Sequence, residues 1–142
     1  MTLVLDASMA LAWKLKRLDP VEARLAEQVL KELDSTRATV PAIWYSEVAS
    51  GALRAERQGV IKPDQTSYFL HELSEADIVM DERLPHTQQA GVLALARTYA
   101  LTAYDAAYLE LVLRTGGTLA TFDRQLAEAV RRAGGRVFGD AA

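Results

Sequence analysis

The sequence predicts an α/β fold, a three-layer α/β/α sandwich around a short parallel central sheet. Short apolar runs recur along the chain, and segments with apolar residues at every third or fourth position separate them. These separating segments are long enough for the crossovers that parallel strands require. The runs do not alternate with polar residues, which is typical of strands that helices cover on both faces. At a length of 142 residues, we expect residues 1–142 to form one domain.

Four apolar runs are predicted to be strands, and a fifth segment is a candidate edge strand. The first run ends at Asp6, and Pro41 follows the second. Each run is short and rich in Val, Leu, Ile or Thr, as buried strands are. The predicted strands are residues 2–5, 38–40, 77–80 and 118–121, and the candidate edge strand is residues 136–138.

Helices are predicted between the strands because the apolar residues there follow a period of 3.6. One start is well marked: Asp19 is placed to cap the helix, Pro20 suits its first position, and Glu22 completes a capping box. Gly59 and Gly116 are placed to end two others. The predicted helices are residues 8–18, 20–33, 43–58, a helix opening at 63, and residues 84–99, 104–114 and 124–133.

The composition excludes several classes of function. The chain has no cysteine and only two histidines, so disulfide scaffolds, thiolate nucleophiles and cysteine- or histidine-rich metal sites are excluded. No apolar run approaches the ~18 residues of a membrane span, and the first ten residues lack a basic leader. We therefore expect a cytoplasmic protein without a membrane partner. The formal net charge of −3 weakly disfavours nucleic acid, unless several acids serve to bind a cation.

Acidic residues follow the predicted strands at the edge where sites of open α/β sheets lie. Asp6, Asp81 and Asp123 follow the first, third and fourth strands, and Glu47 and Asp105 lie early in helices. Taken singly, most of these carboxylates are explained as helix caps. Taken together, they would repel one another in one cleft unless protonated or bridged by cations, and a divalent ion such as Mg²⁺ meets that need.

Three further features have two readings each. Glu47 lies past the capping turn, so it needs either a partner such as Arg54, seven residues later, or a place in the site. The Ser8 hydroxyl either caps a helix or orients a neighbouring carboxylate. The Thr121 hydroxyl either reflects strand propensity or orients a carboxylate in the same way.

The chain resembles PIN-domain proteins, and among them the VapC-type toxins of bacterial toxin–antitoxin pairs. The segments that carry the likeness are LVLDASMALAW, VPAIWYSEVASGAL, LTAYDAAYLELVLRTGGTLATFD and RQLAEAV, in that order over nearly the whole chain. One departure is the basic group Lys14, Lys16 and Arg17, where relatives often have an acidic residue. The family's acidic positions match Asp6, Glu47, Asp105 and Asp123, and its hydroxyl positions match Ser8 and Thr121.

The resemblance implies an endoribonuclease that depends on Mg²⁺ or Mn²⁺, forms a homodimer and is inhibited by a cognate antitoxin. In this interpretation Asp6, Asp105 and Asp123 are the direct metal ligands, and Glu47 binds a second ion or acts as general base. Arg124 and Tyr104, which flank the predicted site, are the expected substrate contacts, whereas Tyr108 is expected only to pack. Single-stranded or looped RNA is the expected substrate because its bases can be splayed out.

Two other functions fit parts of the sequence. Asp6 would suit a phosphatase as covalent nucleophile, although that chemistry usually has a second acid where Ser8 stands. A non-catalytic RNA- or protein-binding module would retain the fold without needing the acids. The complete set of four acids favours the nuclease over that module. The charge does not oppose it, because the 16 basic residues slightly outnumber the acids that remain.

Overall fold

A five-stranded, all-parallel sheet forms the centre of the molecule, in the strand order β3-β2-β1-β4-β5. The computed structural model describes residues 1–141. In the register of the sheet, Leu3 pairs with Ala38 on one side and with Thr118 on the other. The strands are β1 (Leu3–Leu5), β2 (Ala38–Val40), β3 (Ile78–Met80), β4 (Thr118–Ala120) and β5 (Arg136–Val137).

Helices connect every pair of consecutive strands, which confirms the predicted α/β/α fold class. Their caps follow local chemistry: the Asp19 side chain accepts a hydrogen bond from the Val21 amide, and Thr102 accepts one from the Asp105 amide. The helices are α1 (Ala7–Leu11), α2 (Pro20–Glu32), α3 (Ile43–Arg57), α4 (Pro63–Glu75), α5 (Gln89–Tyr99), α6 (Ala103–Thr115) and α7 (Arg124–Arg132). None of the helices in residues 1–141 is long and apolar enough to span a membrane.

Two predicted helices differ from the observed ones by several residues at one end, whereas the other predicted bounds agree to within one residue. The first helix stops at Leu11 rather than residue 18, because the next amides bond mostly to carbonyls three residues earlier and form turns. The helix predicted from residue 84 begins at Gln89, and a 3-10 turn (Pro85–Thr87) precedes it. Pro85 has no amide proton, so it suits the start of such a turn.

The central strand β1 is the most deeply buried part of the sheet, since all three of its residues are 0% exposed. Edge strand β3 differs, with Val79 37% and Met80 50% exposed. The sheet order places the ends of β1 and β4 side by side, and β3 two strands from β1. Residues that follow β1 and β4 therefore meet over the middle of the sheet, whereas Asp81, after β3, lies towards its edge.

Candidate active site

Asp6 is the buried centre of the site. It directly follows β1, is 6% exposed, and its amide continues the pairing with β4 through a 3.0 Å hydrogen bond to the Ala120 carbonyl. Its carboxylate atom Oδ2 accepts hydrogen bonds from the Ser8 hydroxyl at 2.7 Å and the Thr121 hydroxyl at 2.5 Å. Within residues 1–141, Oδ1 accepts no side-chain hydrogen bond and remains available to a ligand. The side chain caps no amide of α1, so the capping explanation is wrong for Asp6.

The two hydroxyls also fix the chain after β4. Ser8 Oγ accepts a 3.0 Å hydrogen bond from the Phe122 amide, and Thr121 Oγ1 accepts a 2.9 Å bond from the Asp123 amide. Each hydroxyl therefore links a backbone amide after β4 to the Asp6 carboxylate. Both hydroxyls thus orient the carboxylate, which is one of the two roles that the sequence allowed for Ser8 and for Thr121.

Asp123 and Asp105 lie at the N-terminal ends of two helices, α7 and α6 respectively. The Asp123 carboxylate caps α7 by accepting a 3.0 Å hydrogen bond from the Leu126 amide, so the capping explanation holds here alongside any role in the site. Asp105 lies in the first turn of α6, where its own amide donates a 3.1 Å hydrogen bond to the Thr102 hydroxyl oxygen. Its carboxylate is thus not needed as the cap.

Glu47 has a partner that the sequence did not reveal. The Tyr108 hydroxyl donates a 2.7 Å hydrogen bond to Glu47 Oε1, and no bond joins Glu47 to Arg54 among the described residues. Tyr108 is 0% exposed, so packing was predicted correctly but the hydroxyl's role was missed. One signal was present: Tyr108 lies three residues after Asp105, which places both on one face of α6.

The acids influence one another's charge. Burial raises the pKa of Asp6, and Asp123 adds to that increase, against the opposing hydrogen bonds from Thr121 and Ser8. Burial also raises the pKa of Asp105, with contributions from Asp123 and Asp6. The pKa of Glu47 is raised by burial and by Asp6 and Asp105, although its bond from Tyr108 lowers it. Asp6, Glu47 and Asp105 therefore share one electrostatic environment that favours a bound cation or a proton on one of the three.

These carboxylates open onto a cleft of about 410 Å³. Among residues 1–141, no three His, Cys, Asp or Glu side chains are close enough together to hold a metal ion by themselves. An all-oxygen donor set around an open cleft fits Mg²⁺, which usually keeps water and takes only one or two carboxylates plus phosphate oxygens. One or two of these carboxylates, completed by water and phosphate oxygens, would thus fit a divalent ion. The cleft is lined by Asp6, Ala7, Ser8, Leu11, Ile43, Ser46, Glu47, Ser50, Gly51, Arg54, Tyr104, Asp105 and Asp123.

The two predicted substrate contacts lie in different places. Tyr104 lines the acidic cleft and is 63% exposed, so its ring is accessible beside Asp105. Arg124 is exposed at the start of α7 and lines a neighbouring cleft of about 700 Å³, which meets the acidic cleft at Asp123. Arg54, which the sequence weighed only as a partner for Glu47 or a general phosphate contact, lines the acidic cleft itself.

Asp81 is not part of this site. Burial acts to raise its pKa, but hydrogen bonds from Arg114 outweigh that effect and hold the pKa below its usual value. Arg114 also bonds Glu110 at 2.7 Å, so Asp81 belongs to an ion-pair cluster between the end of β3 and α6.

Comparison with known proteins gives a consistent result. Residues 3–132 match the family model described as PIN domain. The chain is 34% identical over 128 residues to Ribonuclease VapC3 of Pyrobaculum aerophilum, covering 90% of this chain and 94% of that protein.

Two solved structures share the fold. The crystal structure of PAE2754 from Pyrobaculum aerophilum aligns with a TM-score of 0.69 and 22% identity, covering 96% of this chain and 92% of that one. The crystal structure of FitAcB from Neisseria gonorrhoeae aligns with a TM-score of 0.58 and 18% identity, covering 96% of each chain.

Proposed function

Because the chain belongs to the PIN-domain family, we propose that it is the endoribonuclease toxin of a toxin–antitoxin pair and that it requires a divalent metal ion. The observation that carries this proposal is the convergence of four carboxylates, Asp6, Glu47, Asp105 and Asp123, on one cleft at the carboxyl ends of the central strands. The likeness to a protein named as a ribonuclease supports RNA as the substrate.

The proposed metal ligands are drawn from Asp6, Asp105 and Asp123, one or two of which would hold the ion together with water and phosphate oxygens. Glu47 would lie beside a second ion or act as general base. When bound, Mg²⁺ or Mn²⁺ would lower the pKa of a water molecule, so that it could act as the nucleophile at neutral pH, and would stabilise charge on the phosphoryl oxygens. Asp6 suits its role because Ser8 and Thr121 hold Oδ2 and leave Oδ1 towards ligands.

Glu47 is suited to accept a proton. Tyr108 holds Oε1, which leaves Oε2 to take the proton of an attacking water. Its raised pKa makes the carboxylate a stronger base than an exposed glutamate. Since the Tyr108 pKa is itself raised, mainly by burial and by the nearby Asp6 charge, the phenol stays protonated and remains a donor.

RNA contacts are proposed on both sides of the acids. The exposed Tyr104 ring offers a stacking surface for an unpaired base next to Asp105. Arg124 offers a phosphate contact on the side of Asp123, where the two clefts join. These contacts suit single-stranded or looped RNA, in which bases are free to leave the stack.

Two protein partners complete the proposal, in a cytoplasmic setting. A cognate antitoxin with a basic segment would be attracted to the acidic cleft, where an arginine would pair with carboxylates and oppose metal binding. A second copy of the chain is supported by exposed apolar side chains on α3, α4 and β3. These are Tyr45, Leu53, Tyr68, Leu70, Val79 and Met80.

The test measures RNA cleavage and RNA binding separately. Purified, antitoxin-free protein should cut an RNA panel with Mg²⁺ or Mn²⁺ and stop in EDTA. Asp105→Asn and Asp123→Asn should each lose most cleavage while RNA affinity in EDTA is kept or increased, since a charge near the phosphates is removed. Asp64→Asn, an exposed acid in the first turn of α4, is the control and should cut normally.

Three outcomes would reject the proposal. Equal cleavage in EDTA rejects the metal requirement. RNA binding without turnover in any condition indicates the non-catalytic module. Hydrolysis of small phosphomonoesters but not of RNA indicates the phosphatase that would use Asp6.

A further inference from the structure

Arg54 is the one basic side chain that lines the acidic cleft in the part of the chain described, residues 1–141. It lies on α3, seven residues after Glu47. Seven residues are nearly two helical turns, so Arg54 and Glu47 share a face of α3 and are about 10 Å apart along its axis. The cleft therefore has carboxylates at one end and a guanidinium at the other.

The Arg54 side chain is free to bind a ligand. Within residues 1–141 it forms no ion pair and no side-chain hydrogen bond, and Glu47 is bonded by Tyr108 instead. Arg57 and Arg124 are unpaired as well among the described residues, but neither lines the acidic cleft. Arg17 and Arg131 are engaged with Glu22 at 3.2 Å and with Asp140 at 2.8 Å. A free guanidinium beside a row of acids is suited to an anion that approaches the metal site, and it matches phosphate in a bidentate geometry.

Between Glu47 and Arg54, helix α3 contributes only small residues to the cleft wall. Ser50 lines the cleft between them on α3. Gly51 also lines it, and a Cβ there would collide with Leu11, so the glycine lets α1 pack close to α3. Between the two ends, the cleft wall thus combines the Ser50 hydroxyl on α3 with the Leu11 side chain from α1.

We propose that Arg54 binds an RNA phosphate next to the one that is cut, so that the RNA strand runs along α3 from the acids to Arg54. This inference rests on the proposed ribonuclease function. Glu47 and Arg54 are separated by about 10 Å along the helix axis, and a single strand offers a phosphate at every nucleotide, so the phosphate beside the scissile one is assigned to Arg54. Arg124, by contrast, does not line the acidic cleft.

The test compares Arg54→Gln with Arg57→Gln, an exposed arginine one turn later on α3 that does not line the cleft. In EDTA, where no turnover interferes, Arg54→Gln should weaken binding of a single-stranded oligonucleotide roughly tenfold. It should also reduce the salt dependence by about one phosphate contact, a slope change of about 0.7 for a single strand. Arg57→Gln should change neither quantity. Arg54→Lys, which keeps the charge but not the fork, should restore part of the affinity.

Substrate length identifies the phosphate. With Mg²⁺, Arg54→Gln should raise KM for an oligonucleotide and leave cleavage of a dinucleotide, which has only the scissile phosphate, at the wild-type rate. An equal loss on both substrates, or unchanged oligonucleotide affinity in Arg54→Gln, overturns the subsite while the ribonuclease proposal stands. If the wild-type protein neither binds nor cuts any RNA, the proposed function fails and this inference fails with it. Thermal melting of each variant checks that it is folded.

Discussion

A single buried phenol determines how Glu47 is presented to the cleft. Tyr108 is 0% exposed and its hydroxyl is 2.7 Å from Glu47 Oε1, so the glutamate is held from the protein side. The bond joins residues 61 positions apart in the chain. The bond forms because α3 and α6 both begin at the carboxyl edge of the sheet. It fixes Oε1 of Glu47, whose side chain also lines the cleft.

Replacing Tyr108 with phenylalanine should weaken metal binding without unfolding the protein. The substitution removes the donor to Oε1, so Glu47 loses its fixed orientation and the interaction that lowers its pKa. We expect Mn²⁺ affinity, measured by calorimetry, to fall about tenfold or more. Thermal stability of the metal-free protein should change little, because the half-buried Glu47 can bond to water instead.

The matched control is Tyr99→Phe, which removes a hydroxyl that bonds no described residue. It should leave both Mn²⁺ affinity and thermal stability at the wild-type values. Wild-type Mn²⁺ affinity in Tyr108→Phe would show that the hydroxyl only packs, as the sequence suggested.

The residues of the site divide into those that the sequence could identify and those that it could not. Asp6 and Asp123 are identifiable because each directly follows a strand, and parallel strands bring their ends together. The roles of Tyr108 and Arg54 depend on how α3 and α6 pack, which no local pattern encodes. The likeness of the sequence to PIN-domain proteins supplied the complete set of acids, but not their hydrogen-bond partners.

At the scale of elements, the first helix shows why a boundary can be mispredicted while burial is predicted well. Its apolar period continues to Leu15, which does reach an apolar cluster with Ala52, Ala55 and Ile61. The chain arrives there through turns after Leu11 rather than through a longer helix. The apolar pattern therefore predicts which side chains are buried, but it does not determine whether a helix or a series of turns brings them there. The strands were easier because short buried runs allow few alternatives.

The ion-pair cluster between β3 and α6 should support stability but not cleavage. Arg114 pairs with Asp81 and Glu110, and the three side chains are only 21%, 15% and 14% exposed. Arg114→Met would leave two partly buried carboxylates without their shared positive charge. We expect a loss of about 1–3 kcal/mol in the free energy of unfolding, measured in urea. RNA cleavage at a temperature where the variant is folded should match the wild type, because the cluster lies two strands from β1.

A similar change at an exposed pair gives the comparison. Arg37 and Asp77 form a 2.8 Å ion pair, but their side chains are 64% and 48% exposed. Arg37→Met should therefore cost less than about 1 kcal/mol, since exposed pairs are screened by solvent. If both substitutions cost the same, burial of the Arg114 cluster contributes nothing. If Arg114→Met abolishes cleavage while folded, Asp81 or Glu110 belongs to the site after all.

At the scale of the whole molecule, the fold concentrates mutually repelling acids at its centre, and the proposed cation would compensate their charge. The net charge of −3 conceals this arrangement, because it counts the site acids together with those on the surface. The sheet order is what brings the acids together: β1 and β4 are neighbours, although over a hundred residues separate them in the chain. Metal-free protein should therefore be less stable than a variant in which the repulsion is reduced.

Stability should depend on pH in a direction set by these acids. Burial and mutual repulsion raise the pKa values of Asp6 and Asp105 in the folded protein. Between the unfolded values near about 4 and the raised values, the folded state binds more protons than the unfolded state, so its stability falls as pH rises. Asn at both positions removes these titrations and keeps the acceptor for Ser8 and Thr121. The free energy of unfolding of wild type minus that of the double variant should become more negative with rising pH and then level off.

Urea unfolding from pH 4 to 8, in EDTA and in excess Mg²⁺, measures this difference. Groups that do not interact with Asp6 or Asp105 cancel, whereas Glu47, whose pKa these two acids help to raise, adds to the difference in the same direction. Asp81 and Asp140 are two of the groups that cancel, present in both proteins. Their arginine partners lower their pKa values against the effect of burial, and this contribution is absent from the difference between the two proteins. Excess Mg²⁺ binds the folded, ionised site, so it should raise wild-type stability most at neutral pH and hardly affect the double variant. A difference that does not vary with pH in EDTA would mean that neither burial nor mutual repulsion raises the pKa values of Asp6 and Asp105 in the folded protein. The electrostatic reason for a metal at this site would then be lost, even if the fold and the positions of the acids were correct.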